Sequence, residues 1–209
     1  MSATETFNGF PEEGLQFLRD IEVHNNKEWF LANKGTYEAD LLAPAQEFVA
    51  ALGSRLQELD PAIVFDTRTD GRGVLMRFYR DTRFSKDKSP YKINIAGMFT
   101  DGQGKKTTRP AYGFHMGADS MELMAGMFKF SKPQLAAYRE AVADEVSGDE
   151  LLRILRALGE KGDYHLVGEH YKRVPAGYEA DHPRADLLRF AGLYAHPTAI
   201  EGQYLTSPA

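Results

Sequence analysis

Residues 74–130 decide the fold, because four runs inside them, VLMRFYR at 74–80, INIAGMF at 93–99, AYGFHM at 111–116 and MELMAGMFKF at 121–130, break with the helical spacing of their surroundings. Each is short and rich in β-branched, aromatic or methionine side chains, and turn-forming clusters at 101–104 (Asp-Gly-Gln-Gly) and 117–120 (Gly-Ala-Asp-Ser) separate the later ones. In the second run Ile93, Ile95, Gly97 and Phe99 alternate onto one face; in the third Tyr112, Phe114 and Met116 do. Sequential strands with short connections most simply make an antiparallel meander.

Working outward, the flanks read as helices. Leu15, Phe17, Leu18 and Ile21 recur at helical spacing after Pro11, which a first turn tolerates. Asn25 and Asn26 interrupt that pattern and offer an N-cap for a short helix carrying Trp29 and Phe30, with Trp29 read as a core anchor. A longer stretch from about Thr36 to Leu59 places Phe48, Leu52, Leu56 and Leu59 on one face, and Pro44 divides it in two. Beyond the strands, Ser131 is an N-cap with Pro133 in the first turn, and 147–150 (Ser-Gly-Asp-Glu) reads as a capping box before Leu151, Leu152, Leu155 and Leu158. An irregular segment at 163–180 precedes a last helix near Pro183 carrying Leu187, Leu188, Phe190 and Leu193. The expected architecture is therefore α+β: an antiparallel sheet of about four or more strands within 73–130, covered by N- and C-terminal helices. With no linker-like shift and no repeat, residues 1–209 read as a single domain with frayed termini at 1–8 and 198–209.

The chain has 43% hydrophobic residues, ample for a packed core, and a net charge of -5. It contains no Cys, which excludes disulfides, thiolate metal sites and a catalytic thiol. No targeting segment and no membrane-spanning run is visible, so a cytoplasmic protein with no membrane partner is expected. Charge is unevenly placed. Between Arg77 and Arg109 nine cations face three acids, leaving that segment at +6 and the remainder at -11.

The concentration is greatest at 77–92, RFYRDTRFSKDKSPYK, a strand end running through a loop into the next strand. Arg77, Arg80, Arg83, Lys86, Lys88 and Lys92 recur every few residues, with hydroxyls and aromatics between them. Guanidinium forks suit carboxylate or phosphate, and an ammonium adds a point charge. Tyr79, Phe84 and Tyr91 offer faces for a base or other planar group. The segment is expected to bind an anionic partner, either a phosphate-bearing small molecule or nucleic acid, through those six cations and Tyr91. Against this stands a purely structural reading, in which Asp81 and Asp87 pair with their neighbours and the aromatics belong to the core. Arg80, Arg83, Lys86 and Lys92 converging on one concave, partly unpaired surface favours a site; each locked in an ion pair favours a structural loop.

The run 79–92, YRDTRFSKDKSPYK, resembles the signature of the DUF2461 family of uncharacterised proteins. Residues 25–30 (NNKEWF), 172–178 (KRVPAGY) and 181–183 (DHP) extend the similarity over nearly the whole chain. The resemblance implies a single cytosolic domain and carries over no catalytic residue.

Other constellations are weaker. His165 and His170 sit five apart, where helical zinc pairs sit four apart, so no metal site is expected. His115 faces away from Phe114 and Met116. Ser85 and Ser89 lack a nucleophile elbow. The glycines at 71, 73, 102 and 104 form patterns too short for a phosphate cradle and read as hairpin turns, so no cofactor is expected. Glu12-Glu13 and Asp149-Glu150 read as first-turn acids stabilised by helix dipoles. A second polar cluster at Lys172, Arg173, Tyr178, His182 and Arg184 lines one cleft with the basic loop if the two meet. If the protein is an enzyme, His182, Asp81 and Asp87 are the first acid–base candidates; a third reading is a scaffold whose basic loop meets an acidic partner.

Overall fold

The computed structural model describes residues 7–168 and 170–207. Its elements are α1 (Glu12–Val23), α2 (Lys27–Ala32), α3 (Lys34–Thr36), a π-helical segment (Tyr37–Leu42), α4 (Ala43–Leu59), β1 (Ile95–Phe99), β2 (Ala111–Met116), β3 (Ser120–Met127), α5 (Lys132–Ala143), α6 (Glu145–Lys161), β4 (His165–Val167), α7 (Ala185–Leu188), β5 (Leu193–His196) and β6 (Ile200–Glu201). The fold is α+β. Six antiparallel strands run in the order β1-β2-β3-β5-β4, with β6 also paired to β3. Contacts divide the chain into two compact units: one holds the chain up to Gly102 with Gly113–Leu123 and the segment from Ala199, the other Gln103–Tyr112 with Met124–Thr198.

In the first unit α1 buries Leu15, Phe17, Leu18 and Ile21, the face its spacing predicts. Asn26 caps α2 by accepting from the Trp29 N–H at 3.0 Å. Trp29 itself is only half-buried, tilted 5.3 Å from the Phe17 ring and stacked at 5.9 Å on His24, so it edges the core rather than anchoring it. Pro44 divides the long stretch as expected: the π-helical segment ends at Leu42 and α4 begins at Ala43 with this proline in its first turn. Lacking an N–H, it leaves the Asp40 carbonyl without its helical donor, and a π-helical turn (37–42) absorbs the mismatch before α4. The Asp40 carbonyl instead lies against α1 at Gly14, where an added Cβ would stand 2.0 Å from it. Only glycine permits that crossing.

Two aromatic groups knit this unit together. Phe7, Phe10, Phe48 and Phe114 form one, with Phe7 and Phe10 edge-on at 5.0 Å and Phe48 against Phe114 on β2 at 5.0 Å. Phe17, Phe30, Tyr37, Phe78 and Tyr91 form the other, whose tightest pair is Phe30 stacked on Tyr91 at 4.1 Å. Burial raises the Tyr37 hydroxyl to about 12.

Several expectations need correction here. Residues 74–80 form no strand; they make isolated bridges, Leu75 to Gly97 and Tyr79 to Tyr91. Arg80 N–H donates to Pro90 and Lys92 N–H to Phe78, both at 2.9 Å, but Pro90 has no N–H to return, and the ladder stops. The termini are tied down within the described residues. Phe7 is buried, β6 pairs Met121 with Ile200, and Leu205 accepts from Phe10 N–H at 2.7 Å. The expected frayed residues 1–6 and 208–209 lie outside the described ones. The 102–104 glycines belong to a long β1–β2 connection rather than a tight hairpin, whereas Gly117 N–H closes the β2–β3 turn on Ser120 at 3.0 Å.

In the second unit Ser131 and Gln134 form the capping box that starts α5, with Ser131 N–H donating to Gln134 Oε1 at 2.9 Å. The capping box expected at 147–150 is absent. Asp144 caps α6 by accepting from Ser147 N–H at 2.8 Å, so Asp149 and Glu150 lie inside the helix, paired with Arg184 and Arg153. The expected last helix is a single turn, α7, and Leu193 lies instead on β5, paired with Met127. Val142, Leu187, Leu188 and Phe190 are its buried core.

Candidate functional site

The loop following Tyr79 is held by its own acids. Asp81 takes two bonds from the Arg83 guanidinium, at 2.9 and 2.7 Å, and Asp87 pairs with Arg80. Asp87 also accepts from the Ser89 hydroxyl at 2.6 Å and the Ser89 N–H at 2.9 Å. Lys88 donates to the Thr82 carbonyl at 2.9 Å, and Arg77 Nε to the Asp70 carbonyl at 2.6 Å. The Arg83 fork holds the Asp81 carboxyl down at about 2. Ser89 first and Arg80 second push Asp87 well below the ordinary carboxylate range. Both acids are thereby held ionised. Phe84 stands 96% exposed at the loop, beside the Arg83 guanidinium.

Two cations are not used in this way: the Lys86 and Lys92 ammonium groups have no ion pair or side-chain hydrogen bond among the described residues. Lys86 is open to solvent, but Lys92 is half-buried. That burial alone lowers its pKa, and no carboxylate counters the effect.

Lys92 opens onto a pocket of about 470 Å³ whose wall also carries Glu22, Asn25, Arg80, Asp87 and Asn94. Its position is fixed from the neighbouring residue. The Asn25 carboxamide donates to the Tyr91 carbonyl at 3.0 Å and accepts the Tyr91 N–H at 3.0 Å, replacing the strand partner that Tyr91 lacks on that edge. On its other edge the 90–92 backbone pairs with 78–80. The Tyr91 ring drops into the core against Phe30, so Lys92 emerges from a backbone secured on both sides and below.

Of the seven residues expected to bind, the pocket gathers Arg80, Tyr91 and Lys92; Arg77, Arg83, Lys86 and Lys88 are not on its wall. Tyr91 offers no stacking face, because its ring is buried. Sequence reading missed Asn25, Glu22 and Asn94. The doubled Asn25-Asn26 was a signal, but it pointed to a cap, and Asn26 alone fills that role.

The second polar cluster belongs to the other unit. Arg184 is structural: its side chain is 9% exposed, donates to the carbonyls of Val142, Ala143 and Asp144 at 2.6–3.1 Å, and pairs with Asp149 at 2.6 Å. It thus collects the orphan carbonyls where α5 ends. His182 Nδ1 accepts the Arg184 N–H at 3.0 Å, which makes it part of the same brace. Tyr178 packs on the local core, and Lys172 and Arg173 are exposed. Glu169, beside His170, lies outside the described residues, among which no group of three His, Asp or Glu is arranged to hold a metal. Nor, among them, is any helix long and apolar enough to cross a membrane.

A sequence model for one family, described as a conserved hypothetical protein (DUF2461), matches residues 13–207. No curated protein matches the chain, and no solved structure does.

Proposed function

The chain belongs to the DUF2461 family, and we propose that it binds a small anionic molecule, bearing phosphate or carboxylate, in the pocket walled by Arg80 and Lys92. One observation carries this reading: the half-buried Lys92 ammonium faces a 470 Å³ cavity without a counter-ion. A desolvated cation without a partner is costly, and an incoming oxyanion removes that cost while gaining charge-assisted hydrogen bonds. Asn94 supplies a neutral group to orient the ligand, while the Asn25 carboxamide and the Ser89 hydroxyl are engaged with Tyr91 and Asp87.

A small ligand fits better than nucleic acid. Asp81 and Asp87 cancel Arg83 and Arg80, so the loop presents far less free positive charge than its composition suggests. Catalysis asks for a group that changes protonation near neutral pH, and both loop acids are held ionised far below it. Binding is therefore the preferred reading. A cytoplasmic setting, where small phosphorylated and carboxylated metabolites abound, goes with it and with the absence of Cys.

Calorimetric titration with inorganic phosphate tests the proposal. Lys92→Met is expected to weaken binding about 10- to 100-fold, the worth of one charge-assisted hydrogen bond, while Lys86→Met leaves it unchanged. Equal affinity in wild type and Lys92→Met overturns the assignment.

A further inference from the structure

The pocket that holds Lys92 is not simply cationic, and the composition of its wall narrows the ligand. Four ionisable side chains of fixed sign line it, Glu22, Asp87, Arg80 and Lys92, and their formal charges cancel. They are not equally available. Arg80 and Asp87 neutralise each other, and Asp87 is further occupied by the Ser89 hydroxyl and N–H. That leaves one acid and one base without partners among the described residues: Glu22, on the last turn of α1, and Lys92. Although they share a wall, Glu22 and Lys92 form no ion pair with each other. The wall carries an unpaired carboxylate and an unpaired ammonium that do not meet each other.

Resting on the anion-binding reading of this same site, we infer that the ligand is zwitterionic: a small molecule whose phosphate or carboxylate meets Lys92 and whose protonated amine meets Glu22. A simple anion satisfies Lys92 but adds its charge to a wall that also carries the Glu22 carboxylate, which no cation among the described residues neutralises. A polyphosphate does so several times over. A molecule carrying both signs completes both free groups and leaves the Arg80–Asp87 pair undisturbed. The volume, about 470 Å³, is ample for an amino acid or an aminoalkyl phosphate.

Matched probe pairs test this. Phosphoethanolamine is compared with ethyl phosphate, and β-alanine with propionate, by calorimetry at low salt on wild type, Glu22→Gln and Lys92→Met. Glu22 is exposed, so the amine is worth what an exposed ion pair is worth, and each amine-bearing probe is expected to bind about two- to five-fold tighter than its partner. Glu22→Gln abolishes that advantage and, by removing a like charge from the wall, leaves ethyl phosphate and propionate bound at least as tightly as in wild type; Lys92→Met weakens all four. Because Glu22 is exposed on a helix, its substitution leaves the fold intact. If ethyl phosphate binds as tightly as phosphoethanolamine, and propionate as tightly as β-alanine, the zwitterion is wrong while anion binding stands. If no probe binds wild type, both readings fall. The probe pair that binds better separates a phosphate from a carboxylate head group.

Discussion

Asn25 and Tyr91, 66 positions apart, are joined by two hydrogen bonds of 3.0 Å through which one side-chain amide serves both backbone groups of the other residue. The carboxamide acts as a one-residue strand. It anchors the backbone from which Lys92 leaves and ties the turn between α1 and α2 to the pocket wall.

Replacing Asn25 therefore strands a backbone donor and acceptor in a part-buried place. Asn25→Ala is expected to cost about 1–3 kcal/mol, read as a shift in the urea midpoint at constant slope. Asn25→Asp keeps the acceptor but loses the donor, and is expected to fall between. Wild-type stability in Asn25→Ala would mean that the clamp contributes nothing.

Gly14 makes a sharper steric prediction. Its missing Cβ leaves room for the Asp40 carbonyl that Pro44 cannot satisfy. Gly14→Ala places a methyl 2.0 Å from that oxygen and forces α1 from the π-helical segment. A loss of about 1–3 kcal/mol is expected from overpacking, despite alanine's better helix propensity. A gain in melting temperature would contradict the packing described.

The loop acids predict the behaviour at low pH. Asp81 titrates at about 2 in the folded protein against an ordinary 3.8, and Asp87 is lowered in the same direction. A depressed folded pKa stabilises above the unfolded value and ceases to do so as pH falls towards the folded one. Stability should thus decline from about pH 4 downward, and salt should shrink the effect because both pairs are exposed. Melting temperature against pH for the Asp81→Asn, Asp87→Asn double variant should show a shallower acid limb; an unchanged limb would discount these pairs.

Arg184 reads in the sequence as one cation of a second polar cluster, and the structure uses it as a brace. Arg184→Ala leaves α5-end carbonyls without donors and is expected to cost roughly 2–3 kcal/mol; Arg184→Lys recovers little, since an ammonium cannot reproduce the fork. A chemical-denaturation series measures both. Gly148 belongs to the same brace, for a Cβ there would lie 2.5 Å from the Arg184 Nε.

What the sequence made legible is what periodicity and capping encode. The α1 face, the Asn26 and Ser131 starts and the limits of β2 all follow from local chemistry. Strands β4, β5 and β6 did not, because they are two to four residues long and owe their form to pairing with distant partners. The same holds for the site. Charge density located the 77–92 segment, but intraloop pairing, invisible in composition, decided which cations are spent on the fold and which are free. Asn25, Glu22 and Asn94 join the pocket only through tertiary structure.

The most direct test of the binding account is the titration of the Lys92 ε-ammonium, followed by NMR from pH 7 upward with and without inorganic phosphate. The account predicts a midpoint below the ordinary lysine value of 10.5 in the free protein, since burial disfavours the charged form, and an upward movement when phosphate supplies the missing counter-ion. A midpoint at the ordinary value, unmoved by phosphate, would contradict it.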